Sequence, residues 1–131
     1  MSSQSNPQGV ITATANSDLF VDVSPFWYSA TAKGSGIKVG FNANYGKSAV
    51  NSSWALAQLR AAGIPVLPSI ADASGAKTMA KFLADPANRS AHVADIVNIV
   101  VANNYDGIDL DYEKFAFSDG RSSWDSTQPI W

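Results

Sequence analysis

The apolar positions along the chain change period several times. Residues 19–30, LFVDVSPFWYSA, are dense in β-branched and aromatic side chains and predict a strand, with Pro25 near its end where pairing stops. TAKGSG then reads as a turn, and IKVGF as a small strand after it. Residues 48–62 carry helical spacing, with Val50, Trp54, Ala57 and Leu59 on one broad face and Gly63 as a C-terminal stop. Residues 64–70, IPVLPSI, predict a short buried strand, and residues 76–84 suit a helix. A second helix is predicted over DPANRSAHVADIVNIVVANN, with Pro86 in its first turn, Asn103 or Asn104 at its end, and Val93, Ile96, Val97 and Val100 as its apolar stripe. Residues 9–16, GVITATAN, fit either a short strand or the end of a helix. The resulting order of strand, helix, strand, helix, strand implies βαβ units, a parallel sheet and right-handed crossovers.

With 131 residues the chain is long enough for one modest core. Hydrophobic residues make up 46% and charged residues 15%, a globular balance. A net charge of −2 with no basic run lacks the electrostatic footprint of a nucleic-acid binder. No apolar run approaches the roughly 20 residues of a membrane helix. The absence of cysteine removes disulfides, thiol nucleophiles and zinc–thiolate sites from consideration. The first ten residues show neither a basic nor an apolar leader segment.

The most informative stretch is YDGIDLDYEKF, residues 105–115, which places Asp109, Asp111 and Glu113 at alternate positions. On a strand these side chains, with Gly107, share one side, while Ile108, Leu110 and Tyr112 take the other and suit packing under helices. Alternate carboxylates stand about 6.5 Å apart. At an effective dielectric near 20 each pair repels by roughly 2.5 kcal/mol, so one acid of three in an enclosed site is expected to keep its proton. A proton-loaded carboxylic acid beside ionised ones is the equipment of a general acid. An exposed edge strand would also tolerate the pattern, and alternating carboxylates can hold Mg²⁺, although no phosphate-cradling loop accompanies them. Asp106 lies at the strand's start, where a turn or helix-end hydrogen bond suits it.

Asp106, Asp109, Asp111 and Glu113 stand in the order D-x-x-D-x-D-x-E. This resembles the signature of the family 18 glycoside hydrolases, the chitinases and endo-β-N-acetylglucosaminidases. VSPFWYSA and AAGIPVLPSIAD are similar to segments of the bacterial spore-germination and cell-wall-lytic branch, and the likeness runs over residues 19–117. The resemblance implies that Glu113 protonates the glycosidic oxygen and that Asp111 orients the substrate's 2-acetamido group. It also implies that Asp109 shares a proton with Asp111 and that Asp106 is structural. The acetamido oxygen attacks the anomeric carbon, so no protein carboxylate is the nucleophile. No cofactor and no metal is implied, and the partner is a polysaccharide or oligosaccharide of N-acetylglucosamine outside the cell. Retention of Glu113 favours an enzyme over a lectin-like member. Phe26 and Tyr28, on one predicted face with Trp27 on the other, are candidates to stack on sugar rings, with ordinary packing as the alternative. Ser69 departs from the family's Ser-x-Gly-Gly turn, which weakens a substrate role for it. His92, the one histidine, is expected at a helix surface, and Trp54 and Trp124 are expected to be buried.

The family fold is an eight-stranded β/α barrel of about 250 residues. The predicted fold class is therefore α/β, a partial barrel of parallel strands alternating with helices. Residues 1–17 would form a flexible or residual segment, and residues 18–131 the N-terminal portion of the barrel, cut after the motif strand. Such a piece alone is expected to be poorly stable and inactive. DSTQPIW suggests one more helix start, with Ser126 or Thr127 as cap and Pro129 in its first turn.

Overall fold

The computed structural model describes residues 7–42, 49–114, 119–122 and 125. The suggested helix start at residues 126–129, Trp124 and the first six residues lie outside the described part. Residues Gln8–Ala15 form α1, which resolves the ambiguity of GVITATAN in favour of helix, and a 3-10 turn follows at Ser17–Leu19. Then come β1 (Phe26–Lys33), β2 (Gly36–Phe41), α2 (Ala49–Ala61), β3 (Ser69–Asp72), α3 (Thr78–Ala84), α4 (Pro86–Asn103) and β4 (Asp109–Asp111).

The four strands make one open mixed sheet in the order β2-β1-β3-β4. This corrects the expectation of a partial barrel of parallel strands: β2 runs antiparallel to β1, and no barrel is present among the described residues. The cause is local. Lys33 pairs with Gly36, leaving the two-residue turn Gly34-Ser35. Gly34 has φ +61. Positive φ at the first turn position alone is the pattern of a type II′ hairpin, whose twist matches the flanking strands. TAK, predicted as turn, is therefore strand. The pairs β1–β3 and β3–β4 are parallel, as the alternation of strands and helices predicts.

Prolines set the strand boundaries. Pro25 precedes β1 rather than ending it, and Pro65 and Pro68 precede β3. Lacking N–H groups, they act only through their carbonyls: Pro65 accepts from the Val23 N–H at 3.0 Å, Pro25 from Ser69 at 2.9 Å, and Pro68 from Asp109 at 3.0 Å. The run predicted as one strand over residues 64–70 is thus a bridge at Val66 to Val23 followed by β3.

Both αβ connections end alike. After α2 the Gly63 N–H reaches the Arg60 carbonyl at 2.9 Å and the Ile64 N–H reaches Leu59 at 3.0 Å, with Gly63 at φ +71. After α4 the Asn104 N–H reaches Val101 and the Tyr105 N–H reaches Val100, with Asn104 at φ 52. Each is a Schellman motif. At its other end α4 is capped by Asp85, whose carboxylate accepts from the Ala87 N–H at 2.7 Å, with Pro86 in the first turn.

Helices α3 and α4 pack on each other and over β2, and α1 packs on α2. The core gathers Trp27, Ala30, Leu59, Ile64, Val66, Ile70, Met79, Leu83 and Ile96. The predicted apolar stripe of α4 is rotated. Ile96 is buried, but Val93 and Val97 are exposed, and His92, expected at the surface, is 4% exposed. Valine and isoleucine spread over rather more than half of this helix's circumference, so periodicity left its orientation broad. The buried side carries Ile96, Ile99 and His92, whose polar contact is described below. Trp54, expected to be buried, is exposed.

Candidate functional site

The acid motif begins with a backbone clamp. Asp106 Oδ2 accepts from the Val66 N–H at 2.8 Å, and the Asp106 N–H donates to the Val66 carbonyl at 3.2 Å. Val66 is fully buried, so Asp106 satisfies a donor that water cannot reach. At Gly107 a Cβ would lie 3.1 Å from Leu67 Cγ, closer than a side chain tolerates without displacing its neighbour. The glycine lets the motif lie against Leu67.

Strand β4 is short and stands at the edge of the sheet. Asp109 aligns with Ser69 and Asp111 with Ala71, so the two half-buried carboxylates project to one side, as predicted. The fully buried Ser69 hydroxyl donates to Asp109 Oδ2 at 2.6 Å, a charge-assisted bond that fixes the first carboxylate. Ser69 is the residue that sequence reasoning discounted. The missing glycines drew attention away from its hydroxyl, which lies on the strand beside the acids.

The pairing ends at Asp111, so Glu113 lies past the strand rather than on it, and it is exposed. Leu110, predicted to pack under helices, is 42% exposed on the other side of the edge strand. Tyr112 is buried at 5% exposure, and His92 Nε2 lies 2.8 Å from its hydroxyl. Burial pushes the Tyr112 phenol upward, helped by the charge of Asp72. Burial also lowers His92 from the usual imidazole range, with Asp95 opposing.

The two aromatic candidates separate. A register shift between Phe26 and Tyr28 aligns Phe26 with Ser69 and Tyr28 with Ile70. Ser69 and Ile70 are consecutive and point to opposite faces, so the predicted common face of Phe26 and Tyr28 is corrected. Half-buried Phe26 falls on the side of Ser69, Asp109 and Asp111. Tyr28 is buried in a ring cluster: its hydroxyl lies 3.0 Å from that of Tyr105, and its ring meets Phe41 edge-on at 5.5 Å. Tyr105 also approaches Trp27, and its phenol is pushed upward first by burial and then by the Tyr28 hydrogen bond.

Two further carboxylates lie near the same strand ends. Asp72 Oδ1 accepts from the Ser74 N–H and hydroxyl, and Asp119 Oδ2 accepts from the Lys77 N–H at 2.8 Å. Among the described residues no group of three or more His, Cys, Asp or Glu is arranged to hold a metal ion. Among them, too, no helix is long and apolar enough to cross a membrane.

No family model, curated protein or solved structure matches the chain.

Proposed function

We infer that this chain carries the acids of a retaining glycoside hydrolase acting on N-acetylglucosamine polymers by the substrate-assisted route of family 18. The observation that carries the reading is the pair of half-buried carboxylates on one side of β4, the first held by Ser69, with exposed Glu113 just beyond. Glu113 gives its proton to the glycosidic oxygen as the bond to the anomeric carbon breaks. The substrate's acetamido oxygen forms the new bond to that carbon, and Asp111 orients the acetamido N–H and balances the charge that develops there. Asp109, anchored by Ser69, stands about 6.5 Å along the strand from Asp111 and raises the local negative potential. Phe26 on the same side offers a ring face for the sugar. Tyr28, enclosed among Tyr105 and Phe41, serves packing. A substrate of this class is met outside the cell or in its wall.

The exposure of Glu113 favours a second reading, in which the site binds glycans without cleaving them, because an acid surrounded by water is poorly tuned for proton donation. The two readings part on Glu113→Gln in the full-length protein. For a hydrolase, turnover of a fluorogenic diacetylchitobioside falls by about 10²–10⁴-fold while chito-oligosaccharide binding persists. Binding without turnover in the unmodified protein establishes the second reading. Cleavage that survives the substitution removes Glu113 from the role of acid, and failure to bind any N-acetylglucosamine oligomer removes both readings.

A further inference from the structure

The short edge strand β4 has one paired neighbour among the described residues, and the chain past Asp111 leaves the ladder. Backbone pairing therefore holds Asp111 only at the last position of the ladder and does nothing to aim Glu113. Between them in sequence sits Tyr112, whose ring turns inward while its neighbours do not. Its hydroxyl meets His92 Nε2 at 2.8 Å, and the two rings lie 5.9 Å apart at 35°. His92 projects from α4, a helix capped at both ends, and its ring is met edge-on by Phe82 of α3 at 5.9 Å and 85°. The two-helix layer thus reaches the acid segment through a buried polar contact.

We propose that the His92–Tyr112 contact is a strut that aims Asp111 and Glu113, which makes both residues positioning residues for the acid pair. The inference rests on reading those two carboxylates as the working acids. The tautomer follows from burial. His92 Nδ1 is buried with no hydrogen-bond partner among the described residues. A buried orphan N–H is rarer than an orphan acceptor, so the proton belongs on Nε2, which donates to the Tyr112 oxygen. A neutral imidazole is required, since the imidazolium would strand a second N–H in the core.

Four variants test the strut: His92→Leu, His92→Gln, Tyr112→Phe and the double variant His92→Leu/Tyr112→Phe. Kinetics on diacetylchitobioside and backbone amide spectra are read on the same intact protein. Loss of aim is expected to lower kcat roughly tenfold in His92→Leu and in Tyr112→Phe, with KM within about twofold. The double variant should be no worse than the worse single, because the His92–Tyr112 contact is already lost in each. Gln places an N–H near the Nε2 position and should recover kcat to within about threefold. In the spectra, Asp111 and Glu113 amides should shift in His92→Leu and return in His92→Gln, while Thr31 and Lys38 in the hairpin stay put. Additive losses in the double variant, or unmoved Asp111 and Glu113 amides, overturn the strut. If the unmodified protein cleaves nothing, the hydrolase reading fails and the spectra alone decide the strut. If His92→Leu does not fold, Tyr112→Phe and His92→Gln carry the same comparison.

Discussion

Replacing Asp106 by alanine removes the acceptor for a donor that has no other outlet. The Val66 N–H lies 2.8 Å from Asp106 Oδ2, and Val66 is fully buried. Leaving a buried N–H unpaired costs about 1–3 kcal/mol. Asp106 itself is exposed, so water can enter the vacated space and hold the loss near 2 kcal/mol. For a domain of this size that corresponds to a fall in Tm of about 7 °C. Asp106→Asn keeps an acceptor oxygen and loses only the charge, so about half the penalty is expected. Urea unfolding followed by the fluorescence of buried Trp27 measures both variants, and an unchanged slope shows that the native and unfolded states still differ by the same surface. Chito-oligosaccharide binding below the transition should be unaffected. An alanine variant within about 0.5 kcal/mol of the parent would show that the clamp is not needed, since surface substitutions fall in that range. Lost binding in a folded variant would move Asp106 from scaffold to site.

Ser69→Ala should lower stability by about 1–3 kcal/mol by urea unfolding, because it withdraws the buried 2.6 Å donor from the Asp109 carboxyl oxygen; a loss under about 0.5 kcal/mol would refute the importance of that bond. Stability should also depend on pH at both ends. The folded-state pKa of His92 is lowered, so the unfolded chain takes up the proton first: its contribution is present above about pH 6.5 and is lost as pH falls from there through the lower folded value. The tyrosines run the other way. Tyr105 and Tyr112 are raised, so their contribution is present below about pH 10 and is lost as pH climbs toward the folded values. Thermal melts from pH 4 to 11 read both limbs, and His92→Leu should flatten the acid limb alone; an unchanged acid limb would show that His92 does not set it.

What the sequence disclosed follows how local the physics is. The Asp85-Pro86 start, the Asn104 end of α4 and the Gly63 stop of α2 are settled within a few residues by dihedral preference and capping, and they stand where they were read. The parity of Asp109 and Asp111 is equally local, since two residues on one strand must share a side. Features decided by a distant partner were not legible. Gly34-Ser35 looks like any turn until Lys33 is seen opposite Gly36. The register shift that parts Phe26 from Tyr28 depends on β3. His92 lies inside because Tyr112, twenty residues on, offers its hydroxyl, and a histidine among valines carries no mark of that.

Both helix-to-strand junctions converge where Asp106 grips Val66, which leaves the two ends of the parallel strands with unlike duties. One end is stitched by main-chain bonds and by the Asp106 carboxylate. The other carries Asp111 and Glu113, beyond the bond from Asp109 to Pro68. Such a division lets substitution vary the surroundings of the carboxylates while the knot behind them keeps the sheet assembled. Variation at the first end should therefore be read out in stability, and at the second in what the carboxylates can do.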